Sequence, residues 1–196
     1  MRTARQEDKI EILCRDMVSA HSEFAEKLLI MQFMVLFQEE LLGVREKGAL
    51  LERAAGELCS GICGSHAAVF SASRGGYEIY LCPDGQLSRE HLKGWFGPEL
   101  LEELSLSHKV CGLKEMLEMG LQAGPAVLKD LTAAAAPMGR NGDTAGFILL
   151  WREAERPFGK WELARAVAAA AGLGRAIAHL GQKRPSKAEG LKTGAR

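Results

Sequence analysis

Residues 131–151, LTAAAAPMGRNGDTAGFILLW, decide the fold class of this chain. A small-residue segment, the Gly-rich turn GRNGD and the apolar segment 144–151 are typical of two strands joined by a tight turn. Alanine is a weak strand former, so the run 133–136 indicates either close helix packing or a cavity beside the sheet. After Pro157, an Ala-rich pattern predicts a helix that runs to about Leu180. Two strands and a helix that folds back on them predict an α+β unit.

The segment that precedes this unit predicts one further helix and a hairpin. Apolar residues recur at helical spacing over 49–62. Two short strands, 67–73 and 77–82, then flank the turn residues Gly75 and Gly76, which is a hairpin signal. The hairpin and the strands of 131–151 together predict an antiparallel sheet.

The middle of the chain, residues 87–130, predicts an irregular helical insert. Ser88 can cap one short helix, and Pro98 stands at the first position of another. Residues 126–129 predict an edge strand after a proline.

Residues 5–42 predict one long helix, since no Pro or Gly occurs before Gly43. A seven-residue apolar repeat begins at Ile10 and is interrupted at Lys27 and Gln38. This surface packs on the rest of the chain or on a second copy, and the two are compatible. With the last helix it predicts a homodimer built as a bundle across a two-fold axis. The predicted interface comprises Leu13, Met17, Phe24, Met31, Met34 and Leu41 of the first helix and Val167 and Ile177 of the last.

Charge and hydropathy exclude two classes of function. The 196 residues carry 25 basic and 25 acidic side chains, so the chain lacks the positive field that nucleic-acid binding needs. The longest apolar run, 28–37, is shorter than the roughly 20 residues that span a bilayer. It also follows acidic residues such as Glu7 and Asp8, unlike a secretory signal. We therefore expect a cytoplasmic protein that binds neither nucleic acid nor membrane.

No catalytic arrangement stands out in the sequence. Its five cysteines are odd in number and scattered, which is typical of buried thiols in a reducing compartment. Cys59 and Cys63 lie four apart on a predicted helix and share a face, but no further ligands at a standard spacing complete a metal site. A thiol redox site would need two cysteines with Cα atoms within about 7 Å. No catalytic residue, metal site or cofactor is assigned.

The closing segment resembles the GAF family of small-molecule-sensing domains. Ala136-Pro137-Met138 followed by residues 141–149 is similar to the family's strand, turn and Gly-containing apolar strand. Arg156-Pro157-Phe158 followed by Glu162-Leu163-Ala164 is similar to its lead into the last helix. The resemblance implies a central antiparallel sheet with the terminal helices on one face and the insert, with the ligand site, on the other.

Three parts are expected along the chain. Residues 1–46 are a dimerising and signalling helix by their periodicity, residues 47–180 are the GAF-like domain, and residues 181–196 are a disordered basic tail by their composition. The signatures of cyclic-nucleotide-binding, bilin-carrying and sulfoxide-reducing members are absent, so the ligand is not assigned. The expected function is a non-catalytic sensory domain that passes its signal to a separate output protein.

Candidate pocket residues come from the insert and the second strand. His91, Trp95, His108 and Cys111 lie in the segment that would line the ligand side, and Tyr80 would join them if it faces the insert. Two alternatives remain, a protein-interaction module with a collapsed pocket and a thiol-based redox enzyme or sensor. An enclosed cavity near Tyr80, Trp95 and His108 would favour the sensor, and a filled core would favour the interaction module.

Overall fold

The computed structural model describes residues 2–82, 87–139 and 145–182, with side chains described from residue 9 to residue 180. The predicted basic tail, apart from the backbone of residues 181 and 182, lies outside the described residues. Most of the predicted Gly-rich turn, residues 140–143, lies outside them too.

Helices and strands follow the predicted order, with one change of type. Residues 126–129 were expected as an edge strand, but 126–128 lie in a short helix that Pro125 begins and Lys129 caps its end. The Val127 N–H donates to the Gly124 carbonyl. The described elements are α1 Arg2–Leu41, α2 Lys47–Gly61, β1 His66–Ser73, β2 Gly76–Leu81, α3 Arg89–Trp95, α4 Pro98–Leu106, β3 Cys111–Gly112, α5 Leu113–Glu118, α6 Pro125–Leu128, β4 Leu131–Pro137, β5 Gly146–Glu153 and α7 Lys160–Gln182.

The described strands form one antiparallel sheet in the order β2-β1-β5-β4-β3. The centre is β5, where Phe147 lies opposite Phe70 of β1 on one side and opposite Pro137 of β4 on the other. Every β5 residue from Gly146 to Arg152 is buried. The apolar segment 144–151 thus supplies a central strand that is covered on both faces.

Each face of the sheet carries its own hydrophobic core, because side chains alternate along the strands. Ile148 and Leu150 of β5 pack with α2, α7 and the end of α1. Phe147, Leu149 and Trp151 pack with the insert formed by α3 to α6. The predicted α+β arrangement, with terminal helices on one face and an irregular helical insert on the other, is confirmed.

The alanine run in β4 permits close packing of the last helix. A Cβ at Gly174 of α7 would overlap the carbonyl oxygen of Met138, which directly follows β4. Ala134 and Ala136, whose partners in β5 are Leu150 and Ile148, are 5% and 1% exposed. The sequence left two expectations for this run, close helix packing or a cavity. On the sheet face that the helices cover, the structure shows close packing.

The long helix α1 divides into two parts. Phe33, Phe37 and Leu41 are buried against the domain, and a Cβ at Gly61 of α2 would overlap the Phe33 ring. Every described residue from 9 to 29 is exposed. Within the described part of the chain no helix, α1 included, has the length and apolar content to cross a membrane.

Candidate functional site

An aromatic stack fills the middle of the layer between sheet and insert. The Phe70 and Phe147 rings stack with centroids 4.4 Å apart and planes inclined by 13°. Phe96, at the end of α3, tilts against both, at 5.0 and 5.9 Å. Offset aromatic pairs at these distances contribute roughly 0.5–1.5 kcal/mol each beyond the area they bury. The insert is therefore fixed to the sheet where the resemblance implies a ligand.

A small cavity of about 20 Å³ remains beside this stack. That volume holds about one water molecule, whereas pockets for drug-sized ligands measure roughly 300–1,000 Å³. Trp151 is 1% exposed, and its indole Nε1 has no hydrogen-bond partner among the described residues. The cavity is lined by Leu87, Leu92, Trp95, Phe96, Leu113, Met116, Leu121, Leu128, Leu131, Ala133, Leu149 and Trp151.

Tyr80 does not face the insert. It packs at the edge of the helical core, and its hydroxyl donates to Glu78 Oε2 at 2.9 Å. Burial first, and then this hydrogen bond, raise the pKa of Tyr80 to about 12. The tyrosine that faces the insert is Tyr77, whose hydroxyl donates to Ser105 Oγ at 2.9 Å. The expectation for Tyr80 is corrected, because the alternation of β2 assigns the insert face to Tyr77.

The two predicted histidines lie at the outer surface of the insert. His91 closes the start of α3, where its N–H donates to Ser88 Oγ at 3.2 Å and its Nδ1 accepts from the Ser88 N–H at 3.3 Å. Its ring stacks 6.2 Å from Trp95, which is half-buried and lines the cavity. His108 is exposed between α4 and β3. Of the predicted pocket residues, the structure brings Trp95 to the cavity, but neither histidine lines it.

Cys111 is buried in the edge strand β3. Its Sγ lies 3.4 Å from Ser107 Oγ and 3.8 Å from the Lys109 carbonyl. The thiol lines an outer groove of about 910 Å³ between α4 and α5, which also contains Lys109 and Glu115. Lys109 Nζ donates to Glu115 Oε1 at 2.7 Å, which lowers the pKa of that carboxyl. Cys111 thus belongs to a separate groove from the apolar cavity.

The remaining cysteines are spread over the fold. All five lie in the described part of the chain, and no disulfide joins them. Cys63 was expected to share a helix face with Cys59, but α2 ends at Gly61 and Cys63 is exposed beyond it. Among the described residues there is no cluster of three or more side chains suited to hold a metal ion. A thiol redox role remains a prediction, which titration of the thiols before and after peroxide treatment tests.

A buried ion pair that the sequence reasoning missed joins β5 to α7. Arg152 Nη1 and Nη2 donate to Glu162 Oε1 and Oε2, both at 2.7 Å. The other guanidinium hydrogens donate to the carbonyls of Arg156, Cys63 and Pro157. Both side chains are less than a tenth exposed. This pair fixes the start of the last helix to the central strand.

Opposing influences set the charge state of Glu162. Burial raises the pKa of its carboxyl. The hydrogen bonds from Arg152 and from the Gly159 N–H, which donates at 2.8 Å, together lower the pKa by more than burial raises it. The net pKa is below the ordinary glutamate value. The position of Glu162 three residues after Gly159 is the spacing at which a glutamate can cap a helix start, but this spacing does not identify its arginine partner.

Predicted interface residues divide into two groups. Met34 and Ile177 pack at the edge of the chain's own helical core, and Leu41 lies within it at 8% exposure. Leu41 is therefore not available for a dimer interface, which corrects that expectation. The others are between 46% and 72% exposed: Leu13, Met17, Phe24, Met31 and Val167.

Comparison with solved structures shows a GAF-like fold. The GAF domain from a phosphoenolpyruvate-protein phosphotransferase of Coxiella burnetii superposes with a TM-score of 0.62 at 17% identity, over 80% of this chain and 96% of that one. The GAF domain/HD domain protein of Geobacter sulfurreducens gives 0.55 at 16% identity, over 72% of this chain and 98% of that one. No protein-family model and no curated protein matches the chain in sequence.

Proposed function

We infer that this chain is a non-catalytic regulatory module that acts through protein contacts and is dimeric through its terminal helices. Its GAF-like fold supports a place in signal transduction, with a separate protein as the output. We place it in the cytoplasm. In the conformation described, the space beneath the insert is filled by the chain's own side chains.

The observation that carries this proposal is the filled second core. The Phe70, Phe96 and Phe147 rings occupy the middle of the layer, and the residual cavity measures only about 20 Å³. A ligand of ordinary metabolite size would have to displace the insert and separate these rings. An enclosed cavity near Tyr80, Trp95 and His108 was the feature expected of a sensor. Of these three residues only Trp95 lines the small cavity, and the filled core supports the interaction module.

Tryptophan fluorescence tests the proposal directly. The chain has three tryptophans, of which Trp95 and Trp151 line the cavity and Trp161 is 41% exposed on α7. In a Trp161→Phe background the emission reports the cavity alone. Titration with small-molecule extract from the host is expected to give no saturable change. A saturable change that a cavity-filling substitution abolishes would show a ligand sensor instead.

The sensing of a small apolar molecule is the second candidate function, because the indole N–H of Trp151 finds no acceptor in the part of the chain that the structure describes. A buried N–H without an acceptor costs roughly 1–3 kcal/mol, and a ligand carbonyl or ether oxygen would recover part of that cost. The apolar lining would exclude charged ligands. The same titration, done with apolar compounds that carry one acceptor, distinguishes this candidate.

Filling the cavity tests its position. Ala133→Val adds two methyl groups where Ala133 lines the cavity, so we expect the free energy of unfolding to rise by about 0.5–1 kcal/mol. The neighbouring Ala134→Val is the matched control, since Ala134 faces the tightly packed helical layer and overpacking there costs about 1–3 kcal/mol. Urea denaturation measures both. Equal losses in the two variants would contradict the cavity.

A further inference from the structure

The exposed surface of α1 contains a continuous apolar stripe. Eight large apolar side chains lie along it, and each is between 49% and 75% exposed. Successive positions are three or four residues apart once Ala20 and Gln38 are counted at their places in the series, with two consecutive four-residue steps around Phe24. The stripe consists of Ile10, Leu13, Met17, Phe24, Leu28, Met31 and Val35 of α1 and of Leu42, the first residue after the helix.

This stripe departs from the seven-residue repeat after Phe24. A strict repeat continues to Lys27, Met34 and Leu41, and on a straight helix it drifts by about 20° per heptad. That drift carries Met34 and Leu41 round to the face that packs on the domain. The exposed stripe instead continues one residue after each of these positions, at Leu28, Val35 and Leu42. The step from Phe24 to Leu28 is four residues where the strict repeat has three, and this longer step keeps the stripe on one side of the helix.

The stripe and the domain lie on different sides of α1. At about 100° per residue, its direction is roughly 145° from that of Phe33, Phe37 and Leu41, which pack on the domain. A helix placed along the stripe therefore does not meet the globular part of the same chain. Every described side chain of α1 between residues 9 and 29 is exposed. Because helices in proteins gain most of their stability from the packing of an apolar face, this stretch calls for a partner.

We propose that a second copy of α1 covers this stripe, so that the two chains pair about a two-fold axis. This deepens the proposed function, on which it rests, by assigning the residues of the dimer interface. The stripe is about 48 Å long and 10 Å wide, or roughly 500 Å², which is near the largest apolar patch that soluble monomers expose. With its flanking residues it approaches the roughly 800 Å² that each partner buries in a stable complex.

The charges beside the stripe favour a second copy over a lipid surface. One flank carries Lys9, Asp16, Glu23 and Lys27, two positive and two negative side chains, so two copies do not repel each other. Helices that lie on membranes carry an excess of Lys and Arg along the polar face. The three- and four-residue spacing matches the knobs-into-holes packing of paired helices.

Light scattering of the full chain tests this pairing. We expect wild type to have twice the chain mass at micromolar concentration. Leu28→Glu with Val35→Glu should give a monomer, with each substitution weakening association at least about tenfold. Ser19→Glu with Ser22→Glu, at exposed positions on the other side of α1, is the matched control and should leave the dimer intact. Thermal unfolding of each variant verifies that the domain is folded.

Other outcomes overturn the pairing. A wild-type chain that does not pair with itself contradicts the proposal, whether it is monomeric alone or binds a different protein. A dimer that persists in the Leu28→Glu, Val35→Glu variant, or that is lost equally in the Ser19→Glu, Ser22→Glu variant, does so as well. The fluorescence titration of the cavity is independent of these measurements. A ligand found there would replace the proposed function and leave the pairing to be judged by mass.

Discussion

Replacing Gly146 with alanine is expected to lower the free energy of unfolding by about 3–5 kcal/mol. Gly146 begins the central strand with φ +119°, a conformation that L side chains rarely adopt. A Cβ there would also overlap the carbonyl oxygen of Phe70 in the neighbouring strand. The Met138 N–H donates to the Gly146 carbonyl at 2.8 Å, so a shift of this residue disturbs both neighbours of β5.

Gly75→Ala is the matched control for this prediction. Gly75 lies in the β1–β2 turn, and a Cβ there has open space around it. Its substitution should change stability by less than about 1 kcal/mol. Urea denaturation of both variants gives the comparison. A loss below about 1 kcal/mol for Gly146→Ala would contradict the close approach of β1 to the start of β5.

Replacing Arg152 with methionine is expected to cost about 3–5 kcal/mol, because it leaves the Glu162 carboxylate buried without its partner. The carbonyls of Cys63, Arg156 and Pro157 lose their donor as well. Arg152→Met combined with Glu162→Leu should recover part of the loss, since removing both charges of a buried pair is often close to neutral. Urea denaturation curves of both variants measure the difference. A double variant that is less stable than Arg152→Met alone would contradict the role assigned to the buried pair.

Acid sensitivity follows from the same pair. The folded state lowers the pKa of Glu162, so the ionised carboxylate stabilises the fold above its ordinary pKa near 4.3. This contribution is lost as the pH falls through the lowered value. Stability measured from pH 6 to about pH 3 should therefore fall less steeply in Glu162→Gln than in wild type. Glu115→Gln removes a carboxylate whose pKa is lowered too, but at a solvent-screened exposed pair, so it should change the profile less than Glu162→Gln does. Parallel profiles for Glu162→Gln and wild type would contradict the assignment.

The sequence was sufficient for the order and layering of the fold. Segment 144–151 is apolar at every position after Thr144, which requires cover on both faces, and β5 is central and buried. The Gly-rich turn marked the boundary between the last two strands, and Pro157 marked the approach to the last helix. These features are local, so a single chain records them without an alignment.

The misplaced residues depended on geometry that local patterns do not contain. Tyr77 and Tyr80 lie on opposite faces of β2, and both faces are covered, so apolarity could not decide which tyrosine meets the insert. Arg152 and Glu162 meet only after the chain turns between β5 and α7. The heptad through Leu41 failed because a straight helix drifts away from a seven-residue repeat.

Native mass spectrometry of the protein purified from its own host tests the central claim most directly, because it reports the stoichiometry and any retained molecule together. The account predicts a species at twice the 21.3 kDa chain mass with no added small molecule. A monomer, or a dimer that carries the extra mass of a bound ligand, would contradict a module that pairs through its helices and keeps its inner layer filled.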